Sequence, residues 1–279
     1  MRVTLYSQPG SASKPNEDFA VATPSSVVVL DGLTAPADLG TGCVHGTPWF
    51  VAQLAGSLSR ILSIATGGSL QDALAEAVKE VACSHGSSCD LGHPGTPSAT
   101  VAALRESAAG TDWLVLSDAT LVLDTGDGIE VVTDDRVEDV ARDEREATRQ
   151  HFTGSPIHRQ LMRRMVAEQR RHRNQPGGYW VAGSDPAAAY QSLTGSAAAR
   201  ALRRAAVLTD GASRFTDLFG LGDWAELLDI VERHGPQDLI SQVRDAEALD
   251  PDGERWPRYK RSDDATAAMA VFEQPVAGS

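Results

Sequence analysis

Three apolar, β-rich runs in this 279-residue chain abut acidic residues. Val27-Val28-Val29-Leu30 leads into Asp31-Gly32, and Ala205-Ala206-Val207-Leu208-Thr209 leads into Asp210-Gly211. Asp263-Asp264 stands immediately before Ala265–Val271. A carboxylate at the end of a buried strand puts a charge at the rim of the core, which is unfavourable unless a cation compensates it. The glycine that follows lets the backbone approach closely and frees its carbonyl as a further oxygen ligand. A single Asp-Gly after a strand reads as a turn. Two such pairs and a third acidic strand start in one chain make a cluster suited to hard divalent cations, which take oxygen ligands.

The rest of the composition narrows the partners. A formal net charge of -13 argues against nucleic acid, whose phosphates need clustered Lys and Arg. Hydrophobic residues at 42% and charged residues at 23% are ordinary for a globular chain, one long enough to bury a sizeable core without staples. No apolar run approaches the length of a bilayer span, and Met1–Gly10 reads as a strand rather than a leader. The expectation is a cytoplasmic protein without a membrane partner. Cys43, Cys83 and Cys89 form no framework and read as reduced thiols. Cys83, His85, Cys89 and His93 do not follow a common zinc spacing, and the Ser/Gly/Pro around them reads as a loop.

Strands are predicted at Ser26–Leu30, Ala99–Leu104, Trp113–Leu116, Thr120–Leu123 and Ile129–Val132, the last three as an antiparallel meander. Phe50–Ile64 and Leu70–Val81 have helical spacing and read as a helix pair joined at Thr66-Gly67-Gly68. Val137–Arg173 is dense in charge and reads as polar, helical and partly mobile, its arginines a solvated face or a basic surface for a phosphorylated partner. A strand is predicted to open at Gly177–Val181, another strand, or a helix running into one, to fill Ala201–Leu208 and end at Thr209-Asp210-Gly211, helices to cover Trp224–Glu232 and Gln237–Ala248, and a strand to close the chain at Ala265–Phe272. Strand groups and helix pairs come in blocks, so the class is α+β with antiparallel sheets. No linker divides the chain: the expectation is one domain over 1–279 with a charged insertion around 137–176.

The order of the short motifs resembles that of the type 2C (PP2C, PPM-type) metal-dependent serine/threonine phosphatases. The stretches that carry it are Asn16-Glu17-Asp18, Asp31-Gly32, Pro97-Ser98-Ala99-Thr100, Ser117-Asp118-Ala119, Thr209-Asp210-Gly211 and Ser262-Asp263-Asp264-Ala265-Thr266. The resemblance implies a four-layer αββα sandwich, two antiparallel sheets flanked by helix pairs, with a metal site at one edge of the sheets. It implies a phosphoric monoester hydrolase using two Mg²⁺ or Mn²⁺ ions, with a third at a weaker site. By position, Asp31 would bridge two ions and the Gly32 carbonyl would bind one of them. Asp210 and Asp263 would hold the other, Glu17 would act through water and Asp18 would orient the ligands. Asp118 and Asp210 would share the third.

The chain departs from that pattern in three places. Where the family carries a phosphate-gripping Arg, four residues before Glu17, this chain has Ser13, with Lys14 beside it as a point charge without the guanidinium fork. Where many members have a His after Asp-Gly, this chain has Leu33, which leaves His45 as the candidate general acid. Where an Asp follows Asp210 by four residues, this chain has Arg214, which would contact phosphate instead, with Asp217 as the substitute carboxylate. A phosphoprotein is the expected substrate. A small phosphorylated metabolite, or a catalytically silent regulatory module of the same fold, are the alternatives, and the oligomeric state is left open.

Overall fold

The computed structural model describes residues 1–33, 36–64 and 67–272. Along the chain the strands are β1 (Arg2–Gln8), β2 (Asp18–Ala22), β3 (Ser26–Gly32), β4 (Ala99–Ser107), β5 (Gly110–Leu116), β6 (Thr120–Asp124), β7 (Ile129–Val132), β8 (Leu193–Ala198), β9 (Arg204–Leu208) and β10 (Ala265–Val271). The α-helices are α1 (Thr47–Ile64), α2 (Leu70–Ser84), α3 (Arg142–Arg149), α4 (Pro156–His172), α5 (Asp210–Asp217), α6 (Trp224–His234) and α7 (Pro236–Leu249). The strands form two five-stranded sheets, β1-β10-β9-β6-β7 and β2-β3-β4-β5-β8, and every pairing is antiparallel.

The central strands are buried on both faces, which explains their unbroken apolar runs. Val27 and Val29 of β3 face a layer between the sheets, together with Leu104, Val115, Leu121, Ala205, Val207 and Ala268. Val28 and Leu30 point the other way, onto Phe50, Leu54 and Leu58 of α1 and Leu74 and Val78 of α2. On the second sheet Ala206, Leu208 and Met269 turn outward onto Phe215, Leu228 and Ile240 of the three C-terminal helices. Successive strand side chains alternate between faces, so three apolar layers separate four layers of secondary structure. This is the expected αββα sandwich.

Two details fix the helix layers. The α1–α2 pair is antiparallel: Ser57 and Arg60 bond Glu80, while Trp49 lies against His85 at the far end. Ser69 caps α2 by accepting from Asp72 N at 3.0 Å. Of the break expected between the two helices, Thr66 lies outside the described residues. Among the described residues no helix is long and apolar enough to cross a membrane.

The structure corrects the sequence reading in several places. Trp113–Val132 is not one meander: β5 pairs with β4 and β8, whereas β6 pairs with β7 and β9 in the other sheet. The chain changes sheets at Ser117, whose φ of 66° is left-handed. Gly177–Val181 forms no strand; Tyr179 and Val181 pack with Val137 and Val140 in a small separate cluster. Asp210-Gly211, expected at the end of a strand, is the first turn of α5. The charged insertion contains α3 and α4, and several of its arginines are tied down. Arg163 pairs with Asp38 at 3.0 Å, Arg170 donates to the Leu39 carbonyl at 2.7 Å, and Arg173 donates to the Thr96 carbonyl at 3.1 Å.

Candidate active site

Sheet register brings the first carboxylates together. Asp18 stands opposite Asp31 across the β2–β3 pair, and Asp31 stands opposite Thr100. The second sheet supplies the rest. Thr209, at the end of β9, accepts from Thr266 N at 2.9 Å and donates to Asp18 Oδ2 at 2.8 Å, joining the two sheets at this edge. The next residue, Asp210, comes beside Asp31. The left-handed turn at Ser117 delivers Asp118 to the field of Asp210.

The two glycines are there for space. Gly32 N–H donates to the Glu17 carbonyl at 3.0 Å, and a Cβ at Gly32 would run into the Thr47 methyl that opens α1. A Cβ at Gly211 would collide with the backbone carbonyl of Asp264. Gly211→Ala is therefore expected to push α5 from β10 and to destabilise the protein by about 1–3 kcal/mol, read as a lower denaturation midpoint. A neutral result would mean the helix start is free to move.

Crowding dominates the electrostatics. Burial, then the neighbouring carboxylates Asp210 and Asp263, push Asp18 up to about 8 against the hydrogen bonds from Thr266 and Thr209. Burial and Asp210 raise Asp118 to about 7. Burial and the surrounding aspartates hold Asp31 well above the carboxylate range, and burial and Asp263 raise Asp210. Asp263 is the exception. Burial raises it, but Lys260 and Arg214 outweigh that and hold it below its ordinary value. Lys260 Nζ lies 2.6 Å from Asp263 Oδ1 and Arg214 Nη2 lies 2.8 Å from Asp263 Oδ2, so both oxygens meet a cation. Arg214 also bonds Glu247 at 3.1 Å. Lys260 is about a third exposed, so solvent screens its pair with Asp263 more than the Arg214 pair, which is largely buried at both ends.

A cleft of about 1340 Å³ opens beside Asp263, lined by Lys14, Glu17, Lys260, Arg159 and Arg163 among others. One wall is α4, so the charged insertion reaches the site. Asp264 fastens the loop that carries Lys14 and Glu17: its two oxygens accept Gly10 N at 2.8 Å and Glu17 N at 2.7 Å. A carboxylate suits two N–H donors, where an amide would offer only one acceptor. Asp217 accepts from Ser213 Oγ at 2.7 Å, and burial raises its carboxyl.

Of the residues the sequence singled out, Asp18, Asp31, Gly32, Asp118, Asp210 and Asp263 meet at this edge, and Lys14 and Glu17 border the cleft. His45 has other company. Its ring stacks on Trp49 with centroids 4.2 Å apart, and its Nδ1 lies 3.3 Å from Cys89 Sγ. It does not line the cleft, so the general-acid role expected of it gains no support. Lys260 was not legible, because a Lys-Arg pair before an acidic turn carries no signal of its own.

No protein-family model matches the sequence, and no curated protein is significantly similar to it. Solved structures do match the backbone. The serine/threonine phosphatase PstP/Ppp of Mycobacterium tuberculosis aligns with a TM-score of 0.59 at 15% identity, over 98% of this chain and 99% of that one. The fold is that of the PP2C (PPM) phosphatases. The catalytic domain of the serine/threonine phosphatase PstP, solved with two manganese ions, aligns at 0.55 and 14% identity over 97% of each chain. PppA of Pseudomonas aeruginosa, described as a key regulatory component of a T6SS, aligns at 0.57 and 17% identity, again over 97% of each chain. At such identities the likeness to the PP2C proteins is one of fold.

Proposed function

We propose that this PP2C-fold chain is a metal-dependent phosphatase acting on phosphoserine or phosphothreonine in proteins. One observation carries the reading: five aspartates converge from two sheets on one edge, and Asp18 Oδ1 and Asp210 Oδ1 are buried there without a hydrogen-bond partner. Buried unpartnered carboxylate oxygens are costly, and an all-oxygen set fits Mg²⁺ or Mn²⁺. Asp31, Asp210 and the Gly32 carbonyl would hold such ions, with Asp263 as a further ligand and Glu17 acting through water. Asp118 would serve a third ion. When bound, the ions would supply an acidified water and charge neutralisation at the phosphoryl oxygens.

The chain's own groups supply the rest. Thr209 fixes the Asp18 carboxylate, and Asp264 holds the loop that presents Lys14 to the cleft. Lys14 and Lys260 line the cleft beside Arg159 and Arg163 of α4, and the two lysines would meet a phosphate as point charges. Water displaces the ester alkoxide, the P–O bond breaks, and the alkoxide leaves with a proton. The cleft, at about 1340 Å³ and open, is larger than a typical small-molecule pocket, which favours a segment of a phosphoprotein over a small metabolite.

A second reading rests on Asp263. Because Arg214 and Lys260 already meet both its oxygens, part of the carboxylate charge is neutralised without metal, as a silent regulatory module would allow. Hydrolysis of p-nitrophenyl phosphate and of a phosphothreonine peptide, in EDTA, Mg²⁺ and Mn²⁺, separates the readings. Mn²⁺-dependent turnover of both is expected. Turnover of the small ester alone would favour a metabolite enzyme. Silence, with no calorimetric Mn²⁺ binding, would leave the regulatory module.

A further inference from the structure

The open end of the α1–α2 hairpin gathers four side chains that the candidate active site does not use. Cys43 and His45 precede α1, while His85 and Cys89 follow α2; because the helices are antiparallel, the two short pairs meet. We propose that Cys43, His45, His85 and Cys89 form a structural zinc site.

Three of the separations match the edges of a tetrahedral zinc site. Cys43 Sγ lies 3.4 Å from Cys89 Sγ and 3.7 Å from His45 Nδ1, and Cys89 Sγ lies 3.3 Å from His45 Nδ1. Each of the four residues offers a ligand atom within 4.8 Å of the others. Zinc with Zn–S near 2.3 Å and Zn–N near 2.0 Å has tetrahedral edges of roughly 3.3–3.8 Å. Two sulfurs and two ring nitrogens suit zinc, in contrast to the all-oxygen cluster at the sheet edge.

His85 provides an independent observation. Its Nδ1 is 2.8 Å from the Val81 carbonyl, an acceptor only, so Nδ1 carries the proton and donates. Nε2 then holds a lone pair, and it is buried without a partner on a residue only 3% exposed. A histidine whose far nitrogen donates to a carbonyl is the usual arrangement of a zinc ligand. The sulfurs are prepared in the same way: Val44 N–H points at Cys89 Sγ and His45 N–H at Cys43 Sγ, each at 3.4 Å. Trp49 stacks on His45 and meets His85 edge-on, with centroids 4.7 Å apart in the second contact. A Cys43–Cys89 disulfide would use the sulfurs but leave both imidazoles without a role. All four positions are protein ligands, so the site is structural rather than catalytic. Its position is consequential: Thr47, two residues past His45, opens α1 and packs on Gly32, so the metal would hold the helix start that backs the Asp31-Gly32 turn.

The test is metal analysis of the full chain purified without chelator, with cobalt substitution under reducing conditions. One zinc per chain is expected, with the visible bands of tetrahedral cobalt–thiolate on exchange. Cys89→Ser and His85→Gln should each weaken retention by at least about tenfold, whereas Cys83→Ser, at an exposed cysteine, should keep the metal. Zinc or cobalt bound without thiolate bands would place the metal elsewhere and overturn the proposal. So would wild-type protein that takes up neither metal, or that shows a Cys43–Cys89 disulfide by mass spectrometry when purified anaerobically. These readouts do not use phosphatase activity, so they stand apart from the outcome at the sheet edge.

Discussion

Asp210→Asn is expected to lower metal-dependent phosphoester turnover by roughly a thousandfold, on the scale of losing one group that stabilises transition-state charge, and at the same time to make the metal-free protein more stable. The two effects have one origin. Asp210 is buried beside Asp31, and burial and Asp263 raise its carboxyl against the opposing pull of Arg214 and Lys260. Such a group is unfavourable until a cation arrives. An amide of the same shape removes the repulsion and can donate to Asp31. A gain of about 1–2 kcal/mol would raise the melting temperature of a chain this size by several degrees. Turnover and thermal scans in EDTA and in Mn²⁺ check both halves. Lost turnover with a lower metal-free melting temperature would mean general damage, and retained turnover would remove Asp210 from the site.

The metal-free protein should also lose stability as pH rises from about 4 towards 8. Asp18 lies at about 8 and Asp118 at about 7 in the folded chain, both raised by burial first, against about 3.9 in the unfolded chain. Between those values the folded state binds more protons than the unfolded state, so the slope of stability with pH is negative. Each group contributes up to about 1.4 kcal/mol per pH unit within its window. Asp263, held below its ordinary value, acts in the opposite sense: its contribution is present above the unfolded pKa and is lost only under stronger acid. Saturating Mn²⁺ should reverse the trend, because ion and proton compete for the same oxygens and binding to the folded state adds about 2.7 kcal/mol at a hundredfold excess over Kd. The curves with EDTA and with Mn²⁺ should therefore separate as pH rises. Melting temperatures in EDTA that stay flat or climb from pH 5 to 8 would sink this account.

What was legible in the sequence was whatever one strand could state by itself. The runs ending at Asp31 and Asp210 and starting after Asp263 announced both their burial and their charge. The motif order then supplied the sandwich. Features decided by tertiary contact were not legible. β8 reads Leu-Thr-Gly-Ser-Ala-Ala, mostly exposed and without β-branched repetition, and becomes a strand because β5 offers an edge. Tyr179 and Val181 have strand composition but are buried by Val137 and Val140 from the insertion. The sheet change after β5 depends on one backbone angle at Ser117. The Cys/His cluster was obscured by pairing residues along the chain: Cys83 and His93 were grouped with His85 and Cys89, whereas the helix hairpin brings in Cys43 and His45.

The position of the aspartate cluster has a mechanical side. Asp18 and Asp31 belong to one sheet, Asp210 and Asp263 to the ends of the other, and Thr209 bridges them by one hydroxyl. Elsewhere the sheets meet mainly through an apolar layer, which only weakly resists sliding, with the Met1 amino group on Glu106 at 2.6 Å as a tie at the opposite end. An ion held at this edge is therefore a rivet through both plates. Its release would leave this edge held by the Thr209–Asp18 and Glu17–Asp264 bonds alone, and any shear it allowed would be reported by amides of β3 and β9 together.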